Sequence, residues 1–452
     1  MWPRTNLPGV EPLRVACAAA TVVLGLVGVG TAGERQTDDT PAAVLIDTFF
    51  RNAEDKHLHL PPERIYPRGR RFPFTGFNLT ARQAARDGFT MIGGMYHFSE
   101  QELWRAQQHG IGAVGYVTAG WSKDELADVS QDDVVARVRE RVEEVLGWEG
   151  ASTLEWWYLR PEELRYWREH ELDYLKWATQ AIRDTDPQRR PIWMYDPNHR
   201  SATDLGHTAA HLDIVGKGMY TNHAGQKRQR VWCRWTIEQQ KLAIQWQNPA
   251  AIPIAVPEMF RHPNEYLPQG KTTLEQLSTV IQRWVRHDLY AALIAGARGV
   301  AVYAFAERAG DEDRLPFRGR VYSAYYEAYA QIARELTGEM DLGPVFLFGE
   351  PRKDIKLTIV EGPRTIDFRF RDHEAEYSAV DMLDVAYRDR RYAFLVNSTE
   401  EPITVELAGL PAEPVHVHEL FGKNTFEVSL GRFSVTLNPL QVKGFRFTRS
   451  GD

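Results

Sequence analysis

Cysteine is almost missing from this chain, with two in 452 residues. Cys17 stands at the start of an N-terminal apolar run, the wrong place for a lipid-modified cysteine. Once that run is removed Cys233 is alone, which excludes an intramolecular disulfide and a cysteine-built metal cluster. Glycine-rich phosphate loops are lacking too: neither GxGxxG nor a P-loop follows the first strand pattern, so nucleotide binding is excluded. His97, His199 and His223 fall in no HxH or HExxH spacing and read as hydrogen-bonding pocket histidines. No cofactor and no metal are expected. Positive charge is not in excess either. With 54 Lys and Arg against 61 Asp and Glu, the formal charge is -7, and the concentrated basic surface that a nucleic-acid partner needs is absent.

The one apolar run of note, residues 15–29, is short and rich in Gly and Ala. Arg4 and Arg14 precede it, and Gly30, Thr31, Ala32 and Gly33 separate it from the polar Glu34-Arg35-Gln36. Residues 1–33 are therefore expected to be a secretory signal peptide. The mature chain is expected to be secreted or periplasmic, with no stable membrane association. Residues 34–71, polar and rich in Pro and Arg, are expected to wrap the main domain.

From Phe72 a rhythm of short apolar runs and longer stretches at helical period begins. The runs cover 74–78, 89–96, 111–117, 153–159, 191–195, 213–220, 252–260 and 299–305. Helices are expected between them over 81–87, 100–109, 131–146, 164–183 and 273–296, among others. Eight strands alternating with helices close most simply into a (β/α)8 barrel, placed over 72–340. Beyond it, short strands spaced by turn residues predict an antiparallel β-sandwich over 341–452. They fall at 355–359, 365–370, 392–396, 403–407, 415–420, 425–428, 433–437 and 441–447.

A barrel of this kind carries its chemistry at the C-terminal ends of its strands. Those ends bring together Asn78, His97, Tyr116, Trp121, Arg160, Tyr195, Asn198, His199, Tyr220, His223 and Glu307. Such polar and aromatic groups fit a pocket for a polyhydroxylated ligand, and Trp121, just past the third strand, is the expected platform for a sugar ring. Trp156 and Trp157 alternate across the fourth strand, so one faces the barrel interior and the other the helices.

The acids single out two strand ends. The fourth strand runs into Arg160-Pro161-Glu162-Glu163, and the seventh holds Glu258 inside Ala-Val-Pro-Glu-Met-Phe. A carboxylate in an apolar strand is costly unless it is paired or used. Two carboxylates about 5–5.5 Å apart support glycoside hydrolysis with retention, and a gap of about 6.5–9.5 Å admits a water and gives inversion. Each acid also has a plainer reading. Glu162 and Glu163 suit the first turn of a helix starting near Leu164, Glu258 is within reach of an ion pair with Arg261 or Arg160, and Glu307 has Arg308 beside it.

Acids after the fourth and seventh strands of a barrel with a C-terminal β-sandwich resemble the clan of retaining glycoside hydrolases that includes the β-galactosidase and cellulase-like families. The resemblance implies Glu162, or its neighbour Glu163, as acid/base, Glu258 as nucleophile, and a carbohydrate as substrate. Pro161 occupies the place where many members of the clan have an asparagine for the sugar 2-hydroxyl, a task left to Asn198, Arg160 or Asn78. A catalytically silent glycan-binding or cell-surface barrel is the reading from another class.

Overall fold

The computed structural model describes residues 71–93, 98–221, 229–259, 273–305, 318–371, 373–428 and 430–449. Apart from Arg71, the expected signal peptide and wrapping segment lie outside the described residues, as do His97, His223 and Glu307.

Every one of the eight predicted runs in the first part holds a strand: β1 (Phe74–Gly76), β2 (Met91–Gly93), β3 (Gly112–Thr118), β4 (Leu154–Arg160), β5 (Ile192–Asp196), β6 (Ile214–Lys217), β7 (Ile252–Pro253) and β8 (Val300–Val302). Strands β2 to β7 lie side by side in chain order, and β1 pairs in parallel with β8. Bridges between Phe77 and Gly93 and between Ala255 and Val300 join these two groups, closing the sheet. Parallel neighbours need a crossover. It is supplied by α1 (Ala81–Asp87), α2 (Glu100–Gln108), α3 (Gln131–Leu146), α4 (Glu169–Thr185), α5 (Ala202–Ala209), α6 (Trp232–Gln247), α7 (Leu274–Ala295) and, after β8, α8 (Arg318–Thr337). The fold is a (β/α)8 barrel.

Local chemistry sets the helix bounds. In α3, Ser130 caps the start by accepting from the Asp133 amide, and Val134, Val138, Val142 and Val145 bury one stripe against the barrel. Helix α7 opens with a Thr273–Gln276 capping box and stops at Gly296, whose φ of 113° only glycine adopts readily. The helix expected over 164–183 departs from the prediction, because α4 begins at Glu169. Residues 161–168 form a loop instead, with Glu163 left-handed at φ 56°. The loop is tied down by the buried Glu171 carboxylate, which accepts from the Arg165 amide and guanidinium, both at 2.5 Å. Glu162 and Glu163 therefore do not sit in a first helical turn, and the helix-start reading of these acids is corrected.

Within β4 the alternation is as expected. Trp157 faces the helices and donates from Nε1 to Asp186 at 2.9 Å, while Tyr158 faces the interior against Trp193 and Phe77.

After α9 (Leu342–Phe348) and β9 (Glu350–Pro351) the chain is all β. It comprises β10 (Lys356–Glu361), β11 (Thr365–Phe370), β12 (His373–Ser378), β13 (Val380–Tyr387), β14 (Arg390–Asn397), β15 (Ile403–Ala408), β16 (Val415–Glu419), β17 (Thr425–Val428), β18 (Arg432–Leu437) and β19 (Val442–Arg449). A three-stranded sheet β10-β15-β18 and a six-stranded sheet β17-β16-β19-β14-β13-β9 enclose a core that includes Leu395, Val405, Leu407, Val417 and Phe445. Strands β12 and β13 had no counterpart among the expected strands. Charged residues at Glu374, Glu376, Asp381 and Asp384 weaken the apolar signal there. The six-stranded sheet rests on the barrel through Phe394 against Phe346 (4.6 Å between ring centroids) and a hydrogen bond between His287 Nε2 and Ser398 Oγ (3.0 Å).

Candidate active site

The C-terminal mouth of the barrel has a floor of aromatic side chains. Phe77, just past β1, lies 5.7 Å from Tyr158 and 5.5 Å from Tyr303, ring centre to ring centre. Tyr158 stacks on Tyr116 at 6.3 Å, Tyr303 meets Tyr220 at 6.0 Å, and Tyr220 stacks on Tyr195 at 6.1 Å. One connected network thus spans strands β3, β4, β5, β6, β8 and β1. Gly218 makes room for it, since a Cβ there would lie 2.5 Å from the Tyr195 hydroxyl. Burial pushes the hydroxyls of Tyr158, Tyr195 and Tyr220 well above the ordinary phenol range, and nearby carboxylates add to this. All three are neutral hydrogen-bonding groups at any working pH.

The carboxylates stand around this floor. Glu162 accepts from the Tyr158 hydroxyl and pairs with Arg160 Nη1 at 2.5 Å. Glu163 is held by its backbone: its amide donates to the Tyr195 carbonyl (3.0 Å) and its carbonyl accepts from Lys123 Nζ (3.3 Å). The Lys123 ammonium is 3.9 Å from the Glu163 carboxylate. Burial nevertheless raises the Glu163 carboxyl above the usual glutamate range; Lys123 opposes the shift, and the negative Glu162 beside it adds to it. The side chain keeps 42% of its surface accessible, so its carboxyl is within reach of a ligand.

Glu258 comes from the other side. It is 4% exposed, bridges to Tyr303 just past β8, and its carbonyl accepts from the Tyr329 hydroxyl of α8 at 2.8 Å. Its charge is felt at Tyr220, just as those of Glu162 and Glu163 are felt at Tyr195. The stacked pair Tyr195 and Tyr220 thus links the acids that follow β4 to Glu258.

The remaining expected residues divide. Tyr116, Arg160, Tyr195 and Tyr220 belong to this network. Asn78, at φ 64° beyond β1, has a buried Oδ1 with no hydrogen-bond partner among the described residues, and it lines a cavity of about 110 Å³ with Ile92, Phe98 and Glu102. Asn198 and His199 occupy the loop after β5. The buried Lys217 ammonium pins that loop by donating to the Asn198 and Arg200 carbonyls at 3.2 and 2.6 Å. His199 is half-buried, and burial, with the charges of Arg371, Arg200 and Lys217 behind it, lowers its pKa and keeps it neutral. Trp121 is half-buried and carries the Arg137 guanidinium 4.3 Å above its ring, so a sugar has one face of it at most. His97, His223 and Glu307 are outside the described residues. Among the described residues no cluster of His, Cys, Asp and Glu is placed to hold a metal ion.

Sequence reasoning missed Tyr158 and Lys217 as site residues, and among the residues ending the eighth strand it chose Glu307 over Tyr303. Tyr158 was recoverable, since it shares the inward parity of Trp156. Lys217 was not, because a lysine in a strand gives no sign that two carbonyls and the Trp235 ring, 3.6 Å away, receive it.

No family model matches the chain in sequence, and no curated protein does so. Solved structures do resemble it in three dimensions. A glycoside hydrolase family 5 protein from Bacteroides vulgatus superposes with a TM-score of 0.52 at 12% identity, over 87% of this chain and 96% of its own. The fold is that of the barrel glycoside hydrolases. AmyP in complex with maltose also gives a TM-score of 0.52 at 12% identity, over 82% of this chain and 89% of its own. A noncanonic maltogenic alpha-amylase, AmyB from Thermotoga neapolitana, gives 0.50 at 12% identity, over 84% and 99%. At such identities the likeness is one of architecture, including the β-domain that follows the barrel.

Proposed function

We propose that the chain is an exported glycoside hydrolase that cleaves an oligo- or polysaccharide with retention of anomeric configuration. The observation that carries this reading is the pair of acid-bearing strand ends, β4 and β7, meeting over one floor of neutral tyrosines. Such a floor offers hydroxyls and ring faces to a sugar, and the acids supply the two roles that glycosidic cleavage needs.

The surroundings of the acids suggest their roles. A nucleophile must be ionised and fixed; Glu258, buried past β7 and bridged to Tyr303, is fixed. An acid/base must hold a proton before cleavage and be reachable; Glu163 has the raised carboxyl and the accessible surface. Glu162, held by Arg160 and Tyr158, is fixed beside it and takes no part in the proton transfer. In the first step the Glu258 carboxylate bonds to the anomeric carbon while the Glu163 proton passes to the departing oxygen. In the second, water gives a proton to Glu163 and attacks the same carbon, releasing Glu258.

The test is a panel of polysaccharides with NMR of the first product formed. Retained configuration is expected. An inverted product, or an unsaturated sugar, overturns the retaining assignment. Export is checked separately by the N-terminus of the protein recovered from its native cells, expected to begin after the leader.

A further inference from the structure

Strands β11 and β12 leave the β-domain. They pair only with each other, from Thr365 opposite Ser378 to Phe370 opposite His373. A lone two-stranded hairpin is marginal in water, and this one is held by its inner face. Ile366, Phe368 and Tyr377 pack on Val231, Trp232 and Trp235 at the start of α6, and Phe370 lies 4.6 Å from the Trp232 ring. The outer face is polar, with Arg369 and Glu374 paired across the strands at 2.6 Å.

Helix α6 follows β6, so its start lies on the mouth side of the barrel. Under the tryptophans, Lys217 touches Trp235 and holds the Asn198 and Arg200 carbonyls. The hairpin tip is therefore one layer of side chains away from the loop that carries His199. Arg371, at the tip with φ 53°, is exposed and has no carboxylate partner among the described residues. Next to His199, the Arg200 guanidinium lies 5.5 Å from the Tyr166 ring, and the charge of Arg371 is felt at both His199 and Tyr166. Tyr166 belongs to the loop after β4 and meets the ring of Trp167 at 5.0 Å; Trp167 is 65% exposed, an unusual state for a tryptophan.

We propose that Arg371, Trp167 and His199 form a rim subsite for an anionic sugar, with a ring face on Trp167, the acid group on the Arg371 guanidinium and His199 hydrogen-bonding between them. The β-domain thereby contributes a specificity-determining residue to the barrel mouth. Arginine suits this role because its planar fork matches carboxylate and sulfate oxygens alike. The inference rests on the glycan-binding part of the reading above and names the substrate class as acidic polysaccharide.

The full chain carrying Glu258→Gln separates binding from turnover. Titrated with polygalacturonate, κ-carrageenan, xyloglucan and mannan, it is expected to bind one of the two acidic polymers, and which one decides between carboxylate and sulfate ester. Adding Arg371→Ala or Trp167→Ala should weaken that binding by about tenfold or more, and Arg371→Lys by less. An unchanged melting temperature for Arg371→Ala excludes a folding defect, since Phe370 keeps its seat on Trp232. Failure to bind either acidic polymer, or equal binding by the parent and both Ala variants, overturns the subsite. The two readings fail separately: Arg371-dependent binding without cleavage by the unsubstituted chain removes the hydrolase and leaves the subsite. Cleavage of a neutral polymer untouched by Arg371→Ala removes the subsite and leaves the hydrolase.

Discussion

The barrel mouth and the seam between barrel and β-domain both bury carboxylates, and they do so differently. At the seam arginine and histidine answer the acids: Arg234 pairs with Glu238 at 2.7 Å and with Asp381, and Asp288 receives Arg230 at 2.5 Å and His287 at 2.9 Å. At the mouth Glu162 also has an arginine, Arg160 at 2.5 Å, but Glu163 is set among tyrosines whose hydroxyls stay protonated, with the Lys123 ammonium at 3.9 Å. Pairing with arginine neutralises an acid and spends it on structure. Tyrosines leave its charge and its proton available for chemistry, at a cost in folding energy.

That contrast breaks if mouth substitutions cost stability or seam substitutions cost rate. The largest effect is expected from Glu258→Gln, which should lower kcat by about 10⁴-fold, about 5 kcal/mol of barrier, with an unchanged melting temperature. Near-normal turnover of a confirmed substrate would sink its assignment.

Next comes the β4 corner. Glu163→Gln should lose about 10³-fold on substrates with poor leaving groups, lose less on activated aryl glycosides, and recover with azide. If Glu162→Gln shows that behaviour instead, the roles of the two acids are exchanged. The alkaline limb of the pH–rate profile sharpens the choice. Activity falls as Glu163 loses its proton, so Lys123→Met, which removes a charge that holds the Glu163 pKa down, should move the limb to higher pH. Glu162→Gln should move it to lower pH.

At the seam, Arg230→Ala leaves Asp288 without its arginine and should cost about 3–5 kcal/mol in urea unfolding while kcat stays put. The smallest effect concerns Asp381, which burial pushes up to about 6 although Arg234 opposes the shift. Its folded pKa is above its unfolded one, so the folded state binds the extra proton. Stability is greatest below the ordinary aspartate range and declines as pH rises to about 6, by less than about 3 kcal/mol in all. Asp381→Asn should flatten that slope; an unaltered profile would refute the shift.

Much of this was legible in the chain itself. Each of the eight strands announced itself through an apolar run and five of the helices through their period, and helices such as Gln131–Leu146 end where their caps dictate. Glu258 stood out because a lone acid in an apolar strand is conspicuous. Periodicity and capping are local properties, and a strand's inward parity follows from its alternation.

Tertiary structure alone decided the rest. Helix α4 starts at Glu169 because the buried Glu171 reaches back to Arg165, a closure that no spacing announces. That unwinding releases Glu163 from a helix and gives it a raised carboxyl among loops. The tyrosine floor exists because the barrel closes, bringing β3 and β4 against β8 and β1. Arg371 is some 170 residues from His199 in the chain and nonetheless senses it; only the packing of a stray hairpin on Trp232 and Trp235 brings them together. Local patterns specify elements, whereas the neighbours that shift a pKa or complete a subsite are set by how distant elements pack.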